Sequence, residues 1–461
     1  MVSKRLRKAI AKAIYDANGG LSPIQISQIL LKKKIGSECD QDSLYRRIRY
    51  ILINESSKQN GVFFRKRDGS YDLRERRRLR RRVLIALKRQ GFIIQPDGSI
   101  KKPPMEDKDA LRTMHSYARE AKYKKNKKFI IENQSELSEF FADGKEIKLK
   151  AFQPEIKVVL PNSKESRLFR YATLLWSVPV SEGFGRRMRF IVKDKSNGKL
   201  IGIFALGDPV FNLKCRDDFI GWTASDRGQR LYNVMDVFIL GAVPPYNSLL
   251  CGKLIALAAV SNEVRNKIAR RYKDSKTVIE KKEKDPRLVL MTTGSALGRS
   301  SIYDRIKFND TLLYQRIGTS EGWGHFHMNG RLFEEMKQFV SKYEPRKASS
   351  NRFGQGPNWK IRITRKCLQK LSLPPNLLQH GISREIYLIP LASNYKEFLK
   401  GKDQNIERIN LPFNELVALF KERWFYGRAK RRPEFREFKH TSIPNLINSN
   451  GTLPAQMKID K

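Results

Sequence analysis

Apolar residues recur on a helical period from the start of the chain. Over residues 4–15, Leu6, Ile10, Ala13 and Ile14 fall on one face, and Gly19-Gly20 ends the run. Ser22-Pro23 supplies an N-cap and an N1 proline for a second helix, Ile24 to Leu31. Asp42 is placed to cap a third, SLYRRIRYILINES. Its Leu44, Ile48, Ile51 and Leu52 face inward, while Arg46, Arg47 and Arg49 project elsewhere. The pattern then shortens: two aromatic runs in VFFRKRDGSYDLR (62–74) flank Asp68-Gly69, which predicts a hairpin. Residues 74–89 return to a helical period, with Leu79, Val83, Leu84 and Leu87 as one packing stripe.

Beyond a turn-rich connector (Pro96 to Pro104), a helix is expected over 105–122, running into the lysine-rich KYKKNKK as a linker. SELSEFFADGKEI reads as a helix ending at Gly144. MRFIVKD and KLIGIFALG flank an Asn197-Gly198 turn and predict a hairpin. NVMDVFILGAV reads as a buried strand, 248–271 as one helix, LVLMTTGSA as a strand, SSIYDRI as a short helix and LLYQRI as a last strand. A Pro/Gly/Ser/Arg-rich linker occupies 344–358, and helices and loops are expected after it. The expected domains are 1–74, a basic helical connector 75–134, a central α/β domain 135–343, and a mainly helical C-terminal region 344–461 with a basic aromatic tail at 421–440. In that tail, stacking on nucleic acid and capping of a neighbouring core are equal alternatives.

Charge sharpens this picture. Against 47 Asp and Glu stand 92 Lys and Arg, a formal net charge of +45. Residues 1–128 hold 34 of those cations against 13 acids, or +21. Eight arginines lie within the sixteen residues 74–89. So much charge of one sign points to a polyanion, double-stranded DNA first. No apolar run approaches the ~18 residues of a membrane span, and the charged N-terminus lacks an apolar signal core, so a cytoplasmic protein without a membrane partner is expected. The four cysteines (Cys39, Cys215, Cys251, Cys367) form no CxxC pair and read as reduced thiols.

Three helices followed by a basic hairpin constitute a winged helix-turn-helix, similar to the HARE-HTH domains of restriction and chromatin proteins. Its candidate DNA contacts are Arg46, Arg47, Arg49, Arg65, Lys66 and Arg67, extended by Arg76, Arg77, Arg80 and Arg81 on the following helix. Protein docking is the alternative use of such a module.

Candidate chemistry centres on GWGHFH, 322–327. On a strand, His325 and His327 would point to one face. Paired imidazoles one residue apart are what HUH-type nickases use to hold a divalent ion such as Mg²⁺ or Mn²⁺, with a tyrosine as nucleophile. Tyr343 is the first candidate, with Tyr303 and Tyr246 behind it. Two histidines bonded within a polar face are the alternative. Asp208 and Asp236 could join them if all four converged; Asp236 stands in an apolar strand, where a carboxylate needs a partner such as Arg227 or Arg230. The loop GAVPPYN, 241–247, with Arg227, Arg230 and Lys253, is a further candidate for a DNA phosphate.

The order of central elements resembles the GNAT acyltransferase fold, with VMDVFILGAVPPYNSLLCGKL at its strand and pyrophosphate-binding helix. Pro244 and Pro245 lack the N–H groups that would cradle a pyrophosphate, which argues against acyl-CoA. Over roughly 75–430 the chain resembles the DruA family of the Druantia anti-phage system. The stretches carrying this include FFADGKEI, LFRYATLLWSVPVSEGFGRRMRF, GDPVFNLKCRDDFIGW, TTGSALGRSSIYDRIKF, GPNWKIRI and HGISREIYLIPLA. The resemblance implies a setting in phage defence or beside mobile elements and a large helicase, DruE, as partner. The expectation is a DNA-binding protein that nicks strands with a metal, with a non-catalytic sensor or a GNAT-like DNA modifier as alternatives.

Overall fold

Ser22 caps its helix as the sequence requires: Oγ accepts from the Gln25 amide, and Gln25 Oε1 accepts from the Ser22 amide in return. Such local rules build most of the elements in this computed structural model. It describes residues 2–448 apart from 36–39, 98, 102–111, 113–114, 179, 181–184, 277–280, 282, 321, 325, 329 and 346–357. The chain forms two units, 1–104 with 322–382, and 105–321 with 383–461. This differs from the four consecutive domains expected, because each unit takes up two separate stretches of chain.

The first unit opens with α1 (Val2–Asp16), α2 (Pro23–Lys32) and α3 (Gln41–Ser57). Asp40, not Asp42, caps α3: its Oδ1 accepts from the Ser43 amide at 2.8 Å. Strands β1 (Phe63–Arg65) and β2 (Tyr71–Leu73) pair antiparallel across the Asp68-Gly69 turn, where Gly69 takes φ 79°. Helix α4 (Arg74–Arg89) and the short β3 (Ile93–Ile94) and β4 (Ile100–Lys101) follow. Ile10, Ile14, Leu30, Leu44, Ile48, Leu52, Phe63 and Leu73 form the buried interior.

In the second unit, one helix, α5 (Ser116–Ser138), runs straight through the lysine-rich segment expected to be a linker. Lysine is a good helix former and its head group stays in water, so a charged run need not end a helix. After β5 (Pro154–Val158) and α6 (Lys164–Ala172) come β6 (Arg187–Asp194) and β7 (Leu200–Gly207), the expected hairpin. Helices α7 (Lys214–Ile220) and α8 (Ala224–Arg230) lead to β8 (Val234–Ala242). The single helix expected over 248–271 is two, α9 (Cys251–Val260) and α10 (Asn262–Tyr272), because Ser261 breaks the first and caps the second. Strands β9 (Leu290–Ser295), β10 (Lys307–Phe308), β11 (Thr311–Leu312) and β12 (Gln315–Thr319) complete this stretch, with SSIYDRI in turns rather than a helix.

The chain then gives the first unit α11 (Arg331–Tyr343) and α12 (Asn358–Lys370) and returns to the second as β13 (Glu385–Pro390). This strand falls where helices and loops were expected. Helices α13 (Tyr395–Leu399), α14 (Phe413–Phe420), α15 (Tyr426–Arg431) and α16 (Ile443–Asn448) end the described chain. The central sheet has the order β12-β13-β9-β8-β7-β6-β5, antiparallel except for the parallel pair β8–β9. One face packs on α9 and α14, and Phe425 and Phe435 of the basic aromatic tail are buried there as core beside Phe420 of α14. Helix α9 approaches β7 closely at Gly202, where a Cβ would lie 2.5 Å from the Gly241 carbonyl and 2.8 Å from Ile255. The opposite face carries two separate apolar clusters, one involving α5, α6 and α16, the other Ile220, Trp222 and α13.

Candidate nucleic-acid interface and a carboxylate recess

On α3, Leu44, Ile48 and Leu52 point inward, which leaves Arg46, Arg47 and Arg49 on the exposed side. Tyr50 and Ile53 share that side, 70% and 49% exposed, and were not singled out from the sequence. On the hairpin, Arg65 and Arg67 are exposed, whereas Lys66 is half-buried with Nζ 3.5 Å from Asp72.

Helix α4 divides its arginines. Arg76 is buried: Nη1 donates to Asp72 at 2.8 Å, and Nη2 donates to the carbonyls of Ile14 and Tyr15. It fastens α4 to α1, so its expected DNA contact is corrected to a structural role. Arg74 turns inward as well, donating to the carbonyls of Phe63 and Ser56. Arg80 is exposed but donates to the carbonyls of Leu371 and Ser372. Arg77 and Arg81 face solvent. With Arg80 and Lys88 they line a groove of about 530 Å³ whose remaining wall is Leu84, Ile85 and Ile94. The 77–81–84–88 spacing is legible in the sequence as one helix face, yet Lys88 and the isoleucines went unnoticed beside the denser arginines.

The expected catalytic set does not form as proposed. His325 lies outside the described residues. His327 sits in a 3-10 turn, Phe326–Met328, not on a strand, so the one-face alternation of the pair is lost. Its ring is buried, with Nε2 2.8 Å from the Leu377 carbonyl, 5.5 Å from the rings of both Phe92 and His380. Tyr343 is buried and stacks on Tyr15 at 4.5 Å, and burial raises its hydroxyl pKa, which disfavours the phenolate a nucleophile needs. His327 and Tyr343 belong to the first unit, Asp208 and Asp236 to the second. Among the described residues no group of three or more His, Cys, Asp or Glu side chains is placed to hold a metal ion.

Asp208 is held by Arg186, whose Nε donates at 2.8 Å and whose amide donates at 2.9 Å. The partners expected for Asp236 are engaged elsewhere: Arg227 pairs with Asp217 at 3.2 Å, and Arg230 donates to Gln404. Lys253 is buried, its Nζ donating to the carbonyls of Ser301 and Ile302, and is no phosphate counter-charge. Val243 to Tyr246 are buried too, and a Cβ on Gly241 would lie 2.6 Å from the Trp176 indole. The loop expected to present a phosphate cradle is therefore covered.

Asp236 instead accepts from Thr292 Oγ1 at 2.7 Å. Thr292 is its register partner at the last pairing of β8 with β9; beyond it the two parallel strands part. Thr293 Oγ1 bonds the Val237 carbonyl at the point of divergence, and β8 bulges between Val237 and Ile239. Burial pushes the Asp236 carboxyl up to about 6, against the opposing pull of Thr292, Arg384 and Arg216. Part of the residue nonetheless remains accessible, so the carboxyl sits in a recess rather than a sealed core. A carboxyl raised in the folded state favours folding below about pH 4, and that contribution is lost as pH rises through about 6. Asp236→Asn is therefore expected to flatten the fall in melting temperature between pH 4 and 6, measured by circular dichroism. A fall identical to that of the wild type would place the titration elsewhere.

Fold and surface together define a strongly basic α/β protein of two units. A family model described as Druantia protein DruA matches residues 105–401. The Druantia protein DruA of Escherichia coli (strain UMEA 4076-1) is 40% identical over 380 residues, covering 82% of this chain and 94% of that protein. The chain belongs to the DruA family of the Druantia anti-phage defence system. No helix among the described residues is long and apolar enough to cross a membrane.

Proposed function

We propose that this DruA-family protein engages double-stranded DNA in anti-phage defence, gripping it with its first unit as a winged helix-turn-helix. The observation that carries the reading is the groove along α4, where Arg77, Arg81 and Lys88 stand beside Arg80 above an apolar wall. Cations at this spacing suit phosphates along a strand, and the isoleucines suit the sugars between them. The exposed arginines of α3 and of the β1–β2 turn extend the same chemistry. The helicase that the family resemblance implies would act on DNA held in this way. In the second unit, the single parallel pair with two helices between its strands and the bulge in β8 support an acyltransferase-like ancestry. The covered loop at Pro244-Pro245 argues against acyl-CoA. His327, committed to a backbone carbonyl, gives strand nicking by a metal little support.

The test is fluorescence anisotropy with labelled duplex at several salt concentrations. Double replacement of Arg77 and Arg81 by Gln is expected to weaken binding about tenfold near 0.1 M salt and to lower the log–log salt slope by about 1.8, at ~0.9 per phosphate lost. An unchanged slope, or a wild-type chain that binds no duplex, would overturn the reading.

A further inference from the structure

The second unit carries a polar constellation that duplex binding by the first unit leaves unexplained. Gly207, Asp236, Thr292 and Leu388 occupy one rung of the sheet. Two residues back along the same strands, Val234 and Leu290 enter the cluster with Ile220, Trp222 and α13. Past the bulge, Ile239 enters the other, involving α5, α6 and α16. The two clusters stay separate; Leu388 on this rung belongs to the first, and Gly207, Asp236 and Thr292 belong to neither. Here β8 loses its pairing with β9, and here a sheet of mixed direction most readily admits a ligand.

Two cations and a hydroxyl frame this spot. Arg216, fully buried on α7, is already neutralised by Asp217 at 2.7 Å. Thr292 holds the carboxylate. Arg384, just before β13, differs from both: its side chain is exposed, and its guanidinium makes no hydrogen bond or ion pair among the described residues. Its side chain lies over Gly294, where a Cβ would stand 3.9 Å from Arg384 Cδ, two residues past the Thr292 that bonds Asp236. Phe211 and Val210, 52% and 43% exposed, lie on the loop that leaves β7 one residue past Gly207, and their carbonyls accept from Arg216. A guanidinium without a hydrogen-bond partner among the described residues, a hydrogen-bond acceptor in a recess and an exposed aromatic side chain on an adjoining loop are complementary to three parts of one molecule.

We propose that this recess binds a nucleic-acid single strand, with a phosphodiester on Arg384, a base or sugar proton donor on Asp236, and a base against Phe211. The site is separate from the duplex groove and shares with it only the class of ligand. Because an ionised Asp236 accepts more strongly than the neutral acid, binding weakens as pH falls through its titration. The groups facing it are Thr292 on β9, Arg384 before β13, Arg216 on α7 and Tyr303, and of these only Asp236 titrates in that range.

The experiment uses the full chain, a labelled mixed-sequence single-stranded decanucleotide and, as competitor, a deoxydinucleotide with one phosphodiester, which does not itself titrate near pH 6. Arg384→Gln is expected to weaken strand binding at least tenfold. Asp236→Asn is expected to abolish the pH dependence between 5 and 7, and Phe211→Ala to weaken binding several-fold. Melting temperatures at pH 7 confirm that the variants fold. Replacement of Arg77 and Arg81 by Gln should leave the dinucleotide competition intact, which separates this site from the groove. Competition by the dinucleotide assigns the recess to a local backbone unit; strand binding without it assigns a longer footprint through the same residues. Unchanged strand affinity in Arg384→Gln, or an unaltered pH profile in Asp236→Asn, would overturn the proposal, as would a wild-type chain that binds no single strand.

Discussion

A chain ending at Tyr343, where the sequence first places the end of the central domain, is expected to yield no cooperatively folded second unit. Strand β13 lies between β12 and β9, paired with β9 at six positions and with β12 at four. Its removal turns β9 into an edge and strips β12 from the sheet. Ile386, Tyr387, Leu388 and Ile389 are all buried. At ~1.5–3 kcal/mol for each buried side chain, their loss amounts to roughly 6–12 kcal/mol, comparable to the whole stability of an ordinary domain. The bared β9, LMTTGS, would also offer an unprotected edge for aggregation. Soluble yield and a thermal melt followed by circular dichroism check this. A truncated chain that melts cooperatively with native enthalpy would mean that β13 is not a central strand.

The second large effect separates two adjacent arginines. Arg76→Met is expected to destabilise the first unit by about 3 kcal/mol, whereas Arg77→Met stays within about 0.5 kcal/mol. Both are arginines on the same helix, one residue apart. Arg76 holds the buried Asp72 and two α1 carbonyls; without it the carboxylate keeps the Leu73 amide at 2.7 Å and, as its one counter-charge among the described residues, Lys66 at 3.5 Å, and both carbonyls lose a donor. Arg77 reaches solvent and lies over the Phe64 ring at 5.1 Å. Chemical denaturation of each variant reads the difference, and duplex affinity should respond in the opposite order. Equal destabilisation would refute the division of α4 into an anchoring and a solvent-facing side.

That division marks how far the sequence was legible. The Ser22 N-cap and the Asp68-Gly69 hairpin are local, and each formed where its residue pattern predicts; of the stripe Leu79, Val83, Leu84 and Leu87, all but Leu84, which lines the groove, are buried. Ser261 as a break within an apolar helical run, and the lysine segment as helix, were misread because composition was weighed above capping and propensity. IYLIP carries a strand's β-branched and aromatic residues. Its neighbours β9 and β12 lie some 70 or more residues earlier, so nothing nearby marks it as central.

The candidate site shows the same limit. Asp236 stood out as a carboxylate in an apolar strand, which is a local anomaly any reader can find. Its partner did not, because Thr292 and Arg384 become neighbours only through register. His325 and His327 also stood out, but spacing on an assumed strand said nothing of the 3-10 turn that residues 326–328 adopt.

By itself the sequence determined the helices and hairpin of the first unit, the β6–β7 hairpin, the DruA family and a large excess of positive charge. These follow from periodicity, capping and composition, which act over a few residues or over the whole chain at once. Only the tertiary structure decided which arginines anchor and which face solvent, that β13 completes the sheet, and that Asp236 meets Thr292 at the parting of β8 and β9. Those outcomes depend on strand register and burial between residues far apart in the chain, and no local pattern encodes such distances.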